Sequence, residues 1–168
     1  NMYKECIAAG CDRESVLRSL RAKARDNART PMQWNNSENA GFTQGKPWYR
    51  VNPNYPQINV ENALVDENSV FYCYRKLIHL RRENPIMVYG DYELLLPDDE
   101  NIYAYTRTYQ DKTWLVICNF YKNSVEFSLN GTGKVLISNY ENSCTDLKNG
   151  RLRPYEAVIY EWTNFCWF

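Results

Sequence analysis

The alternation of apolar and polar residues that begins at about residue 87 constrains the fold of this chain most. Successive side chains of a strand point to opposite faces of a sheet, so period-two alternation is typical of half-buried strands. Six short segments show this pattern, and residues common in turns separate them. The predicted strands are Tyr92–Leu96, Ile102–Tyr109, Thr113–Phe120, Val125–Leu129, Lys134–Ser138 and Ala157–Trp162. Their number and spacing predict an antiparallel β-sandwich.

The first part of the chain has a helical pattern instead. Residues 1–24 predict two helices that are separated at Gly10, and Asp12 is placed to cap the second helix. A third helix is predicted over residues 69–83, where apolar side chains recur at helical spacing and Asn84-Pro85 ends the pattern. Helices followed by a sandwich place the chain in the α+β class.

Residues 25–58 predict a long irregular loop between the helices. Four prolines interrupt this stretch, and structureless loops of this length inside compact domains are usually functional. The run from Arg25 to Trp34 combines two arginines, an aspartate, an amide and an indole, and Asn39-Ala40-Gly41-Phe42 follows it. The residues alone leave two interpretations open. The loop presents side chains to a ligand, or Arg–Asp pairs simply connect two helices.

Composition excludes several classes of function. Among 168 residues, twenty basic and twenty acidic side chains cancel, so neither nucleic acid nor an anionic membrane is an expected partner. No apolar run reaches the roughly 18 residues of a membrane span. The only histidine is His79, so a histidine-based metal site is excluded, and no cofactor is expected. Six scattered cysteines without a CxxC pair, and no secretion signal, predict reduced thiols and a cytoplasmic location.

Several motifs, taken in order, resemble the oligo-1,6-glucosidase group of the alpha-amylase superfamily, glycoside hydrolase family thirteen. They are Arg25–Trp34, Asn39–Phe42, Pro47-Trp48, Val51–Tyr55, Ile58-Asn59-Val60, Tyr89-Gly90 and Leu152–Ala157. The resemblance extends from Asn1 to about Trp162, and the tail 163–168 has no counterpart in it.

The resemblance implies that the chain is the C-terminal portion of a retaining alpha-glucosidase. Residues 1–86 would be the end of a truncated (β/α)8 barrel, with its last helices and the substrate-side loop 25–58. Residues 87–168 would be the C-terminal β-sandwich domain. Family members are much longer and carry their catalytic carboxylates earlier, so no catalytic residue is expected here and the chain alone is predicted to be inactive. The expected partners are a small gluco-oligosaccharide and the missing N-terminal barrel of the same protein.

Arg25 is the one residue to which the resemblance gives a substrate-binding role. The first arginine of this motif binds hydroxyl groups of the terminal, non-reducing glucose in the family, and a planar guanidinium suits that task. A purely structural ion pair is the alternative. Asp26 and Arg29 are expected to support the loop, and Trp34 to anchor it or to form a platform for outer sugars. Trp48 and Tyr49 are expected to pack within the loop or core.

Two other functions stay open. A non-catalytic relative, similar to amino-acid transporter heavy chains, would share the barrel and sandwich, but those chains depart from the enzymes in the arginine-bearing half of the motif. A stand-alone sugar-binding sandwich would need a groove lined by aromatic side chains. The predicted strands contain tyrosines, such as Tyr103, Tyr105 and Tyr109, without a clear exposed row.

Overall fold

A computed structural model of the chain describes residues 2–163, apart from the side chain of Asn27. The chain divides between Tyr72 and Cys73 into two compact units. The predicted domain boundary at residues 86 and 87 stays a prediction. The tail after residue 163 lies outside the described residues, and so does the predicted thiol of Cys166.

The first unit consists of short helices joined by the predicted loop. Its α-helices are α1 (Met2–Ala8), α2 (Arg13–Lys23), α3 (Val60–Val65) and the first residues of α4 (Val70–Glu83). Asp12 caps α2 as predicted, because its carboxylate accepts a hydrogen bond of 2.8 Å from the backbone N–H of Ser15. The loop between α2 and α3 also contains two short 3-10 helices, Arg25–Ala28 and Glu38–Gly41, which the sequence analysis does not predict.

Helix α3 was missed as well, because six residues do not complete an apolar repeat. Its start is nevertheless well defined by one side chain. Asn59 is buried. Its side-chain Oδ1 accepts a 2.8 Å hydrogen bond from the backbone N–H of Asn62, and its side-chain Nδ2 donates to the backbone carbonyl of Tyr55 at 2.8 Å. Asn59 therefore both caps α3 and closes the preceding turn.

The second unit is the predicted antiparallel sandwich, and its described residues form seven strands in place of the six predicted. After the rest of α4 and the short helix α5 (Ile86–Tyr89), its strands are β1 (Asp91–Leu95), β2 (Ile102–Tyr109), β3 (Lys112–Asn119), β4 (Val125–Phe127), β5 (Thr132–Ser138), β6 (Gly150–Leu152) and β7 (Ala157–Thr163). Five strands form one sheet in the order β1-β2-β3-β7-β5, and β4 pairs with β6 in a second sheet. The predicted fold class is confirmed.

Strand β6 is not among the predicted strands, because Lys148-Asn149-Gly150 has the composition of a turn and β6 is only three residues long. The turn lies slightly earlier, where the carboxylate of Asp146 accepts hydrogen bonds from the backbone N–H groups of Lys148 and Asn149. Gly150 pairs with Phe127 across the small sheet, and a Cβ atom at this glycine would lie 2.2 Å from the Phe127 ring. Glycine is needed here to make room for an aromatic ring inside a strand.

Both faces of the large sheet carry a buried cluster. Between the two sheets lie side chains from β2, β3 and β7 together with Phe127, Leu147 and Leu152. On the opposite face, Trp114, Val116 and Ile159 pack with Ile86, and the half-buried Leu77 and Leu80 of α4 adjoin them. Strand β3 is therefore buried on both faces, which explains its unbroken apolar run Trp114–Ile117.

An ion pair between the partly exposed Arg153 and the buried Glu156 holds the corner between β6 and β7. The carboxylate of Glu156 is 1% exposed and accepts hydrogen bonds from the backbone N–H, Nε and Nη2 of Arg153 at 2.8, 3.0 and 2.8 Å. The hydroxyl of Ser143 donates to the same carboxylate at 2.7 Å. Burial opposes ionisation of Glu156, but these hydrogen bonds outweigh it and keep its pKa below the ordinary value.

Candidate substrate-binding loop

Arg25 begins the 3-10 helix Arg25–Ala28, directly after the extended residue Ala24 that ends α2. Its side chain is exposed. In the part of the chain that the structure describes, no hydrogen bond or ion pair occupies its guanidinium. The group is therefore available to bind hydroxyl or carboxylate oxygens through several N–H donors at once.

Asp26 lies one residue further and has two partners. Its Oδ1 atom is 3.7 Å from Nη1 of Arg29 and accepts a hydrogen bond of 3.2 Å from the hydroxyl of Tyr49. The Asp26–Arg29 pair is more than half exposed, so it contributes little to stability. The Tyr49 bond joins parts of the loop that are 23 residues apart in sequence. The sequence analysis did not assign Tyr49 to the site, and no sequence pattern indicates this bond.

Trp34 lies where two parts of the loop meet. Its backbone N–H donates to the carbonyl of Ala40 at 2.9 Å, and its own carbonyl accepts from the N–H of Glu61 at 3.0 Å. The neighbouring Gln33 side chain donates to the carbonyl of Ile58 and to Oδ1 of Asn54. Gln33, which has no predicted role, thus fastens the loop to the segment before α3. The indole of Trp34 itself is half exposed.

Three successive residues of the loop have left-handed backbone conformations. Asn39, Ala40 and Gly41 have φ angles of 51°, 58° and 68°, which is costly for the first two because they carry a Cβ atom. Hydrogen bonds compensate for the strain. The carbonyl of Ala40 accepts from Trp34 and Asn35, while the Asn39 amide donates to the carbonyls of Thr43 and Gly45 at 3.2 Å each. The turn therefore fixes the residues that follow it.

A groove of about 390 Å³ lies beside this loop in the first unit. Its lining is largely apolar and comes from the segment after Arg29, the start of α3 and the start of α4. The lining residues are Thr30, Pro31, Met32, Gln33, Ile58, Asn59, Val60, Ala63 and Phe71. Met32, Ile58 and Phe71 are between 43% and 63% exposed, so this groove is an open apolar surface.

The structure contradicts the expected packing of Trp48. Its side chain is 92% exposed, the largest value among the large hydrophobic side chains of the described residues. Tyr49 is half-buried as expected, and its ring lies 6.4 Å from that of Trp48. The packing prediction is therefore wrong for Trp48, whose indole is left almost uncovered by the described residues.

Three tyrosines of the sandwich form a short row, in which Tyr92 and Tyr103 are exposed and Tyr105 is half-buried. Tyr105 lies 5.2 Å from Tyr92 and 5.4 Å from Tyr103 between ring centroids, and the hydroxyls of Tyr92 and Tyr103 are 3.3 Å apart. Tyr92 belongs to β1 and the others to β2, so the row depends on the pairing of these strands. Alternation within one strand cannot reveal it.

Other kinds of site are not seen among residues 2–163. No group of three or more histidine, cysteine or acidic side chains in this range is arranged to hold a metal ion. No helix in the same range is long and apolar enough to cross a membrane. Five cysteines in it, Cys6, Cys11, Cys73, Cys118 and Cys144, are free thiols.

Comparison with known proteins identifies both parts of the chain. A family model described as the alpha-amylase catalytic domain matches residues 3–90. A second model, described as the maltogenic amylase C-terminal domain, matches residues 92–159. The first match covers the helices and the loop, and the second covers the sandwich.

Similar proteins include carbohydrate-processing enzymes from several bacteria. An oligo-1,6-glucosidase of Halalkalibacterium halodurans is 50% identical over 95% of this chain, and the match covers 30% of that enzyme. A trehalose-6-phosphate hydrolase of Escherichia coli is 43% identical over 94% of this chain, which corresponds to 29% of its own length. The chain thus spans about 30% of the length of the curated relatives it matches.

Solved structures agree with this assignment. The crystal structure of Bacillus licheniformis trehalose-6-phosphate hydrolase matches 98% of this chain with a TM-score of 0.91 and 44% identity, over 31% of its own length. Isomaltulose synthase from Klebsiella sp. LX3 matches 96% of this chain with a TM-score of 0.88 and 37% identity, over 30% of its own length. From its loop, its sandwich and these similarities, the chain belongs to the alpha-amylase family of glycoside hydrolases.

Proposed function

We propose that this chain is the C-terminal portion of an alpha-glucosidase that hydrolyses alpha-1,6-linked gluco-oligosaccharides, and that Arg25 binds the terminal glucose. The observation that carries the proposal is the exposed Arg25 guanidinium, which has no partner among the described residues and lies at the start of the 3-10 helix Arg25–Ala28. Three curated relatives named oligo-1,6-glucosidase, which are 47% to 51% identical, support the alpha-1,6 linkage.

The catalytic groups of the proposed enzyme lie outside these residues. A retaining glycosidase needs a nucleophilic carboxylate and an acid/base carboxylate about 5–5.5 Å apart. No acidic residue of this chain lies in a segment that resembles the family motifs for either group. We therefore expect the 168-residue chain to have no hydrolytic activity alone, and we expect its bound substrate to be shared with a barrel that precedes it.

The open groove of the first unit fits the same proposal. Its apolar lining and the exposed Ile58 and Phe71 are surfaces that a protein interior normally covers. We propose that the rest of the (β/α)8 barrel of the same protein packs there. A cytoplasmic location, which free thiols favour, stays a prediction.

The alternatives have less support. The curated relatives and solved structures described above are carbohydrate enzymes, and the loop keeps the arginine-bearing half of the motif, from which transporter heavy chains depart. The tyrosine row of β1 and β2 is the one observation that favours a sugar-binding sandwich.

Substitution of Arg25 in the full-length protein tests the proposal. Arg25→Ala should lower kcat/KM for isomaltose about 100-fold, because several charge-assisted hydrogen bonds to the sugar are lost. Arg18→Ala, on the exposed side of α2, is the matched control and should stay within about twofold. Equal rates for both variants, or full-length protein that does not release glucose from isomaltose, would contradict the proposal.

A further inference from the structure

Trp48 is the exposed side chain that the proposed function leaves unexplained. Single exposed apolar residues are common on protein surfaces, but a tryptophan that is 92% exposed offers an unusually large flat ring to its surroundings. The segment that carries it, residues 43–50, is otherwise mostly polar. A lone ring among polar groups suits a ligand that has both apolar faces and hydroxyl groups, which describes a sugar.

Contacts within the loop connect Trp48 to the Arg25 turn. The ring of Trp48 adjoins that of Tyr49 at 6.4 Å, and the Tyr49 hydroxyl donates to the carboxylate of Asp26 at 3.2 Å. Asp26 follows Arg25 directly in the 3-10 helix. Trp48 is thus followed directly by a residue whose side chain contacts the Arg25 turn, 23 positions earlier in the sequence.

A strained turn precedes the segment that carries Trp48. The left-handed residues Asn39 and Ala40 precede the segment, and the Asn39 side chain donates to the carbonyls of Thr43 and Gly45. Strain that is retained and compensated in this way is typical of segments that present a functional group. The apolar groove differs from this segment, because several aliphatic side chains line it together, as expected for a surface that packs against protein.

We propose that Trp48 is a specificity-determining residue that stacks on an outer sugar of the oligosaccharide, beyond the terminal glucose bound by Arg25. This inference rests on the proposed function and adds the chain length of the substrate to it. Tyr49 is a positioning residue, because its hydrogen bond to Asp26 fixes the residue next to Trp48 against the Arg25 turn.

Two substrates of the full-length protein separate the roles of Trp48 and Arg25. Alpha-glucosyl fluoride occupies the terminal glucose site alone, whereas isomaltotriose also fills outer sites. Trp48→Ala should lower the ratio of kcat/KM for isomaltotriose to that for the fluoride by roughly five- to tenfold, the usual effect of one stacking contact. Trp48→Phe, which keeps an aromatic ring, should restore most of this ratio. Tyr49→Phe removes only the hydroxyl that binds Asp26 and should lower the ratio about threefold. Phe120→Ala, at a 65% exposed ring of the sandwich, is the control and should leave both rates unchanged.

The outcomes distinguish the inference from the function on which it rests. The role of Trp48 is overturned if Trp48→Ala leaves the isomaltotriose-to-fluoride ratio of kcat/KM unchanged in an active enzyme. It is also overturned if Phe120→Ala lowers this ratio by the same factor. An Arg25→Ala variant that keeps full activity on alpha-glucosyl fluoride overturns the proposed function. The isomaltotriose-to-fluoride ratio of kcat/KM for Trp48→Ala still decides whether Trp48 binds an outer sugar. If full-length protein turns over neither substrate, calorimetric binding of isomaltotriose replaces the rates. Weaker binding by Trp48→Ala then supports the inference, and unchanged or undetectable binding overturns it.

Discussion

The sandwich and the 25–58 loop are built in opposite ways. In the sandwich, strand ladders satisfy the backbone, and two apolar clusters cover both faces of the large sheet. In the loop, side chains such as those of Gln33, Asn39 and Asn59 bind backbone groups, and buried apolar residues are few. Stability in the sandwich therefore comes from burial, whereas order in the loop comes from individual polar contacts.

This difference explains where function is expected. Exposed guanidinium and indole groups are found in the loop, where the backbone is strained and held by hydrogen bonds. Such contacts position a side chain accurately but bury little apolar surface, so we expect the loop to depend on the rest of the barrel. The sandwich contains its own core and should need no such support.

The largest expected difference between the two regions is in the stability lost when one isoleucine of each region is replaced by alanine. Ile117→Ala removes a fully buried side chain from the core between the sheets and should lower the free energy of unfolding by about 3 kcal/mol. Ile58→Ala removes a side chain that is 63% exposed and should cost less than about 0.5 kcal/mol. Urea unfolding of the 168-residue chain measures both. Similar costs would show that the two regions do not differ in burial.

A smaller effect is expected at the Arg153–Glu156 ion pair of the sandwich. Glu156→Gln should lower the free energy of unfolding at pH 7 by about 2 kcal/mol, because charge-assisted hydrogen bonds from Arg153 are weakened. The pKa of Glu156 is lowered in the folded state, so its contribution is complete above the ordinary pKa of about 4.3. This contribution is lost as the pH falls through the folded pKa.

Unfolding curves measured across acidic pH test whether the stabilisation by Glu156 is lost as the pH falls. Wild-type stability should converge with that of Glu156→Gln as the pH decreases below about 4, the range of unfolded glutamate. Glu126→Gln, at an exposed position of β4, is the control and should follow wild type at all pH values. A constant gap between wild type and Glu156→Gln would rule out an ionised, hydrogen-bonded Glu156.

A local effect is expected at Gly41 of the loop, with the left-handed Gly10 between α1 and α2 as its control. Gly41→Ala should destabilise the loop by about 2 kcal/mol, because φ is 68° and the new Cβ atom would lie 2.6 Å from Oδ1 of Asn35. Gly10→Ala has a similar backbone cost at φ 80°, but nothing lies within 4 Å of its Cβ position. Limited proteolysis between residues 35 and 50 should accelerate several-fold only in Gly41→Ala. Equal cleavage of both variants would contradict the described turn.

Patterns that lie within one element could be predicted from the sequence. The bounds of β2 agree with the prediction, Asp12 caps α2, and α4 ends before Asn84-Pro85. In these cases alternation, capping or proline acts on neighbouring residues, so the sequence contains the whole signal.

Features that depend on distant residues could not be predicted. Gly150 belongs to a strand because Phe127 needs the space, and the tyrosine row exists because β1 pairs with β2. Within the candidate site, motif resemblance gave Arg25 and its neighbours, whereas the Tyr49–Asp26 bond and the exposed Trp48 required the folded loop. The roles of these side chains in sugar binding stay predictions.

Hydrogen exchange of backbone amides in the 168-residue chain tests the contrast between the regions most directly. We expect the amides of β2, β3 and β7 to exchange slowly, because their ladders adjoin two buried clusters. Amides between residues 25 and 58 should exchange much faster. Protection of the loop equal to that of these strands would contradict the account, because the loop would then be stable without the rest of the barrel.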